Sequence, residues 1–176
     1  MNNVLLSTAA QQVWDFLCRD PQQAFYGTEV AQETRLSKGG VSEILRAMAG
    51  QGLLKTEKKG RMVFYRVDAR SPLVRQFKVL CNVTLAEELT RKIKPFCEKI
   101  VLFGSCAQGE DTMESDVDIF IVSREKEQVR ALVVPGKNHR KVQLVIKTPQ
   151  EFIALDRKEP VFYREIQRGI LLWEKE

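Results

Sequence analysis

The stretch VLFGSCAQGEDTMESDVDIFIV, residues 101–122, constrains the fold of this chain more than any other. Ile100 to Phe103 is a short apolar run of the kind a strand buried on both faces presents, and Gly104-Ser105 ends it. Val117 to Val122 reads as a second strand with carboxylates alternating at its start. Side chains repeat every two residues along a strand, so Asp116 and Asp118 project from one face about 7 Å apart along the backbone and can converge on one or two cations. Glycine lets the backbone approach a polyphosphate, and the adjacent serine hydroxyl and amides can bind its oxygens where a short helix starts. The spacing predicts a metal site beside a phosphate cradle.

With the motif in view, the chain resembles the DNA polymerase beta type nucleotidyltransferases, in the minimal subgroup related to kanamycin nucleotidyltransferase. The family pattern is an apolar strand, Gly-Ser, a spacer, then Asp-x-Asp on the next strand. Gly104, Ser105, Ala107, Gly109, Ser115, Asp116, Val117 and Asp118 fall in register with it. The resemblance runs from about Phe96 to Trp173, where EIQRGILLWE is similar to the terminal helix and strand of these small domains. It implies that Asp116 and Asp118 are catalytic and hold magnesium or manganese. It also implies that Gly104, Ser105 and Ser115 bind the nucleoside triphosphate, and that a third carboxylate on a later strand helps hold the ion that activates the attacking hydroxyl.

That later strand is KVQLVIKTP, and the apolar-acidic-apolar pattern falls on Val142, Gln143 and Leu144. A glutamine oxygen can ligate magnesium but carries no charge and cannot act as a base. One charge removed from a divalent ion at about 4 Å, at an effective dielectric near 20, costs at most roughly 8 kcal/mol, of which exposure and water ligands leave about 3 to 5. That corresponds to a loss of transfer rate from about 100-fold to several thousand-fold. Nucleotide binding should suffer less, because magnesium typically needs only one or two protein carboxylates plus substrate phosphates. Glu110, Asp111 and Glu114 are read as solvated loop acids before they are read as substitutes. Lys137, Asn138, His139, Arg140 and Lys141, after a Pro135-Gly136 turn, are read as a surface hairpin. Arg157, Arg164 and Arg168 lie on a late helical pattern with Phe162 and Ile166 facing inward. Cys106, after Gly-Ser at a helix start, is a thiol whose pKa that position could lower; it is assigned no role.

The N-terminal third follows another pattern. Ser7 can cap a helix with Val13, Phe16 and Leu17 at i, i+3, i+4, which Asp20-Pro21 ends. Thr28 can cap a short second helix carrying Val30 and Ala31. A third helix puts Val41, Ile44, Leu45 and Met48 on one face and Lys38, Ser42, Glu43 and Arg46 on another, and Gly50 and Gly52 stop it. LLKTEKKGRMVFYRV then alternates like two strands around a Lys59-Gly60 turn. The order resembles bacterial and archaeal winged helix-turn-helix regulators over residues 5 to 70, which implies binding of double-stranded DNA. By that resemblance Lys38, Ser42 and Arg46 read bases or phosphates, with Lys58, Lys59 and Arg61 on phosphate. A dimerising or protein-contacting module of the same fold remains the alternative.

Charge placement agrees with the first of these. The chain carries a formal net charge of +5, and Lys55 to Arg66 concentrates five cations against the single anion Glu57. Cys18, Cys81, Cys97 and Cys106 form no C-x-x-C pair and His139 is the only histidine, so a zinc site, a disulfide framework and a multi-histidine centre are not indicated. No apolar run reaches the length of a membrane span and the first residues lack a secretory pattern, so a cytoplasmic protein with no membrane partner is expected.

The resulting expectation is a two-domain α/β chain: a winged helix-turn-helix (α+β) over 1–70, a helical connector over 71–98 with a break at Asn82-Val83-Thr84, and a small mixed-sheet nucleotidyltransferase fold over 99–176. Its expected function is DNA binding joined to Mg-NTP binding with weak or lost transfer. The alternatives are an active enzyme moving a nucleotide to a protein or small-molecule acceptor, or a pair of protein-interaction platforms. A homodimer, which would suit palindromic DNA, is left open.

Overall fold

The computed structural model describes residues 8–133 and 140–175. Ser7, Pro135, Gly136, Lys137, Asn138 and His139 lie outside them. The chain is mixed α/β, with two sheets, and divides into two compact units, Met1–Phe77 and Lys78–Glu176.

In the first unit α1 spans Ala9–Arg19. Thr8 caps it: its Oγ1 accepts from the Gln11 amide at 3.2 Å while the Gln11 side chain accepts from the Thr8 amide at 3.1 Å, satisfying two orphan donors at once. A two-residue strand, β1 (Phe25–Tyr26), then leads into α2 (Gly27–Thr34). Thr28 therefore lies inside α2 rather than capping it; the Glu29 carboxylate accepts from the Tyr26 amide at 3.0 Å instead. Ser37 caps α3 (Lys38–Gly50), its hydroxyl accepting from the Gly40 amide at 3.2 Å. Val41 and Leu45 are fully buried, with Ile44 and Met48 packed against their cluster. Truncating Leu45 to alanine in such a setting costs about 2 to 5 kcal/mol.

The strands β2 (Leu54–Lys59) and β3 (Met62–Val67) pair antiparallel, and β1 joins the far edge of β3, giving the order β1-β3-β2. Lys59 pairs with Met62, so Gly60 and Arg61 are the turn residues, one position later than expected. Gly60, at φ 62°, takes the left-handed conformation that a two-residue hairpin turn requires.

One helix, α4 (Pro72–Thr90), runs without the break expected at residues 82–84. The Thr84 hydroxyl donates back to the Leu80 carbonyl at 2.8 Å, and Asn82 finds side-chain partners elsewhere instead of competing for its own backbone.

In the second unit β4 (Lys99–Phe103), β5 (Val117–Val122), β6 (Val142–Lys147) and β7 (Ile170–Glu174) form one sheet in the order β6-β5-β4-β7. β4 runs antiparallel to β5 and β7, whereas β5 and β6 are parallel. On one face Ile100, Leu102, Ile119 and Ile121 pack with α4, with α5 (Gly104–Gln108) and with α6 (Lys126–Leu132). On the other, Val101, Phe103, Phe120 and Val122 pack under α7 (Pro149–Ile153), α8 (Leu155–Lys158) and α9 (Pro160–Gln167). Both faces of β4 and β5 are covered, which is why their sequences are apolar without alternation. Among the described residues no helix is long and apolar enough to cross a membrane.

Candidate active site

The sheet ends its central strands where the motif lies. Phe103, last residue of β4, pairs with Asp118 on β5, and Asp118 pairs in turn with Gln143 on β6. Gly104 follows Phe103 at φ 68°, and a Cβ built there would come 2.6 Å from Asp118 Oδ2. The bend and the carboxylate thus occupy adjoining space that only a glycine leaves open. Ser105 is half-buried on α5, a five-residue helix.

Asp118 lies on the face carrying Phe120, beneath α9, and burial pushes its carboxyl above the ordinary carboxylate range. Repulsion from Asp116 adds to this, followed by repulsion from Glu165 on α9. Asp116 directly precedes β5 and Asp118 is its second residue, two positions apart along the chain. The exposed Lys141 already sets its ammonium 3.2 Å from Asp116 Oδ2. An exposed pair of this kind is worth little and yields readily to a divalent ion. Among the described residues no group of three or more His, Cys, Asp and Glu could hold a metal. Two carboxylates fit one magnesium or manganese ion shared with water and phosphate oxygens; they do not make a closed cage.

Ser115 spends its hydroxyl on the loop's own turn, accepting from the Thr112 amide at 2.8 Å. Cys106 is fully buried, and burial drives its thiol upward, not downward as its place at a helix start would have it. Glu110 and Glu114 are exposed, as expected of loop acids.

Asp111 and Arg140 depart from expectation. Asp111 is 6% exposed and its carboxylate meets Asn82 Nδ2 at 2.9 Å, Arg140 at 3.2 Å and Lys78 at 3.7 Å. Arg140 is half-buried, and its guanidinium donates to the Ser115 carbonyl from Nε and Nη2, both at 3.2 Å. Neither residue carries a local signal, because both look like ordinary loop charges. Glu165 carries no local signal either, since only the docking of Phe162 on Phe103 and Phe120 brings its end of α9 toward Asp118. Arg157, Arg164 and Arg168 are exposed, while Ile166 is buried and Phe162 half-buried, as the helical pattern required.

In the first unit Lys38 and Arg46 are exposed and Ser42 half-buried. At four-residue spacing they form one stripe of α3, flanking the buried stripe of Val41 and Leu45. The Arg46 Nε donates to the Ser42 carbonyl at 3.2 Å. The hairpin cations do not share a face. Lys59 pairs with Glu57 at 3.3 Å and lies 5.4 Å from the centre of the Phe64 ring, whereas neighbouring Lys58 projects to the opposite side of β2. Lys58 and Arg61 make no ion pair with the described residues.

No curated protein matches the chain significantly. Among solved structures it is similar to a candidate nucleotidyltransferase from Sulfolobus solfataricus, at 21% identity over 56% of this chain and 85% of that one, with a TM-score of 0.39. It is also similar to a mutant of ZitR from Lactococcus lactis in complex with DNA, at 17% identity over 46% of this chain and 60% of that one (TM-score 0.37). A third is TrmBL2, an archaeal chromatin protein described as showing a novel mode of DNA binding, at 13% identity, 92% and 72% coverage and a TM-score of 0.33. A family profile described as polymerase beta, nucleotidyltransferase, matches residues 85–176. That segment is more than half of the chain and contains the Gly104-Ser105 bend, the Asp116-Asp118 pair and all four strands of the second sheet, so the chain belongs to the polymerase beta nucleotidyltransferase family.

Proposed function

We propose that the second unit binds a nucleoside triphosphate with magnesium or manganese and transfers its nucleotide slowly or not at all, while the first unit is a winged helix that binds double-stranded DNA. The observation that carries the nucleotide half is the register that pairs Asp118 with Gln143, because the family resemblance calls for a third acid at that position. Asp116 and Asp118 hold the ion, and Gly104 leaves room for phosphate beside them. A bound divalent ion supplies charge neutralisation of the phosphates. Gln143 contributes a neutral oxygen, so no carboxylate stands on β6 to take the proton of an attacking hydroxyl.

The DNA half is supported by the stripe Lys38, Ser42, Arg46 on α3 and by the exposed cations Lys58 and Arg61 on the hairpin. Three helices followed by a basic antiparallel ribbon offer one element to a groove and one to the backbone. Nucleotide binding is tested by equilibrium dialysis with labelled ATP and magnesium, and DNA binding by gel shift on genomic fragments. Absence of both affinities ends the proposal. Transfer of α-labelled phosphate to an acceptor, abolished by Asp116→Asn, would favour the active enzyme over a nucleotide sensor.

A further inference from the structure

We propose that Arg140 is a positioning residue for the Asp116 carboxylate, and that buried Asp111 holds Arg140 in place. The inference rests on the nucleotide-binding reading of the site.

The two peptide carbonyls that bracket Asp116 are both pinned from the interior. Arg140 donates to the Ser115 carbonyl from Nε and Nη2, each at 3.2 Å. The Cys106 thiol donates to the Asp116 carbonyl at 3.2 Å. Arg140 Nη2 also reaches Cys106 Sγ at 3.1 Å, so one guanidinium touches both anchors of the peptide that carries the metal ligand.

That guanidinium is itself fixed. Its Nη1 lies 3.2 Å from Asp111 Oδ2 and 3.0 Å from Asn82 Oδ1. Asn82 Nδ2 donates to Asp111 Oδ1 at 2.9 Å and to the Cys106 carbonyl at 3.0 Å, and Lys78 Nζ donates to the Asp111 carbonyl. Asn82 and Lys78 are 4% and 7% exposed, so the Asp111 end of the ring is shielded from water, while the Arg140 side chain is half-buried. Among the described residues no buried side-chain nitrogen or oxygen lacks a partner.

Stability alone does not call for this arrangement, since buried ion pairs can often be replaced by apolar groups at no cost. What a satisfied polar network supplies is fixed geometry. The planar fork of arginine gives two N–H bonds to one carbonyl while a third nitrogen meets a carboxylate, which a lysine ammonium cannot reproduce. Partners of this kind behind a metal ligand typically change metal affinity by about 10- to 100-fold.

The test measures Mn2+ binding by electron paramagnetic resonance, with ATP present, in the full chain and in Arg140→Lys, Asp111→Asn and Val129→Ala. Val129 is buried on α6 and takes no part in the network, so its variant serves as a destabilised control with thermal unfolding followed in parallel. Affinity lower by about tenfold or more in Arg140→Lys and Asp111→Asn, but unchanged in Val129→Ala, is the expected result. Wild-type affinity in both network variants overturns the inference and leaves nucleotide binding standing, as does a loss that merely tracks the unfolded fraction in all three. No Mn2+ and ATP binding by the wild-type chain overturns both readings. Should Arg140→Lys fail to fold, Asp111→Asn is read alone with the same outcomes.

Discussion

Asp118 and Gln143 are register partners across the parallel pair β5 and β6, with Phe103 on the other side of Asp118. This places a neutral amide where a strand of this family is expected to bring a charge, beside the carboxylate that burial and Asp116 already disfavour. Gln143 is exposed, so its chemistry can change with little effect on the core.

Gln143→Glu is accordingly expected to tighten Mn2+ binding in the presence of ATP and to raise transfer from α-labelled ATP by about 100-fold or more. Metal titration and a label-transfer assay read the two effects separately. Unchanged values in both would sever the link between this position and the metal.

Asp118→Asn should abolish metal-dependent nucleotide binding yet raise the thermal midpoint of the metal-free protein. The sign follows from the raised carboxyl: the folded state binds the proton more tightly than the unfolded one, so stability falls as pH climbs from the ordinary carboxylate value through the folded-state value. Above that window the ionised group is a standing cost, which asparagine removes and a bound cation relieves. Calorimetry of both proteins with and without magnesium at neutral pH checks this, and a lower midpoint for the variant would contradict it.

Gly104→Ala meets two penalties at once, a left-handed φ of 68° and a Cβ placed 2.6 Å from Asp118 Oδ2. The backbone strain is worth about 1 to 3 kcal/mol, and the Asp118 side chain must turn away. Both a lower unfolding free energy in denaturant and weaker Mn2+ binding are expected; a variant that loses neither would mean that the bend and the carboxylate do not share this space.

For the first unit, Lys58→Ala and Arg61→Ala should each flatten the dependence of log affinity for DNA on log salt by about one, and Lys59→Ala by less. Lys59 is already committed to Glu57 and the Phe64 ring, whereas the other two carry no such partners among the described residues. Fluorescence anisotropy across a salt series gives the slopes. Equal slopes for all four proteins would remove the hairpin from the interface.

Much of the arrangement could be read from local pattern. The strands β4, β5 and β6, the three N-terminal helices and the β2–β3 hairpin announce themselves through apolar period, caps and turn residues, all set by neighbours within a few positions. β1 could not, because two residues have no period; they become a strand only when β3 supplies partners at Tyr65 and Phe64. The break foreseen at Asn82 failed for a related reason: asparagine disfavours a helix when its side chain has nothing better than its own backbone, and here Asp111 and Cys106, far along the chain, provide for it.

The sequence by itself determined that β5 starts at the Asp116-x-Asp118 motif, one spacer after the glycine bend that ends β4, since apolar period and the motif's spacing are local properties. Only the tertiary structure decided that Asp111 and Arg140, two charges that read as solvent-facing, pair with each other while Arg140 holds the Ser115 carbonyl just before Asp116. The physical reason is that a charge is buried by its partners, not by its neighbours in sequence. Lys78, Asn82 and Cys106 satisfy this pair across tens of residues, and no local pattern encodes a meeting that only the packed fold completes.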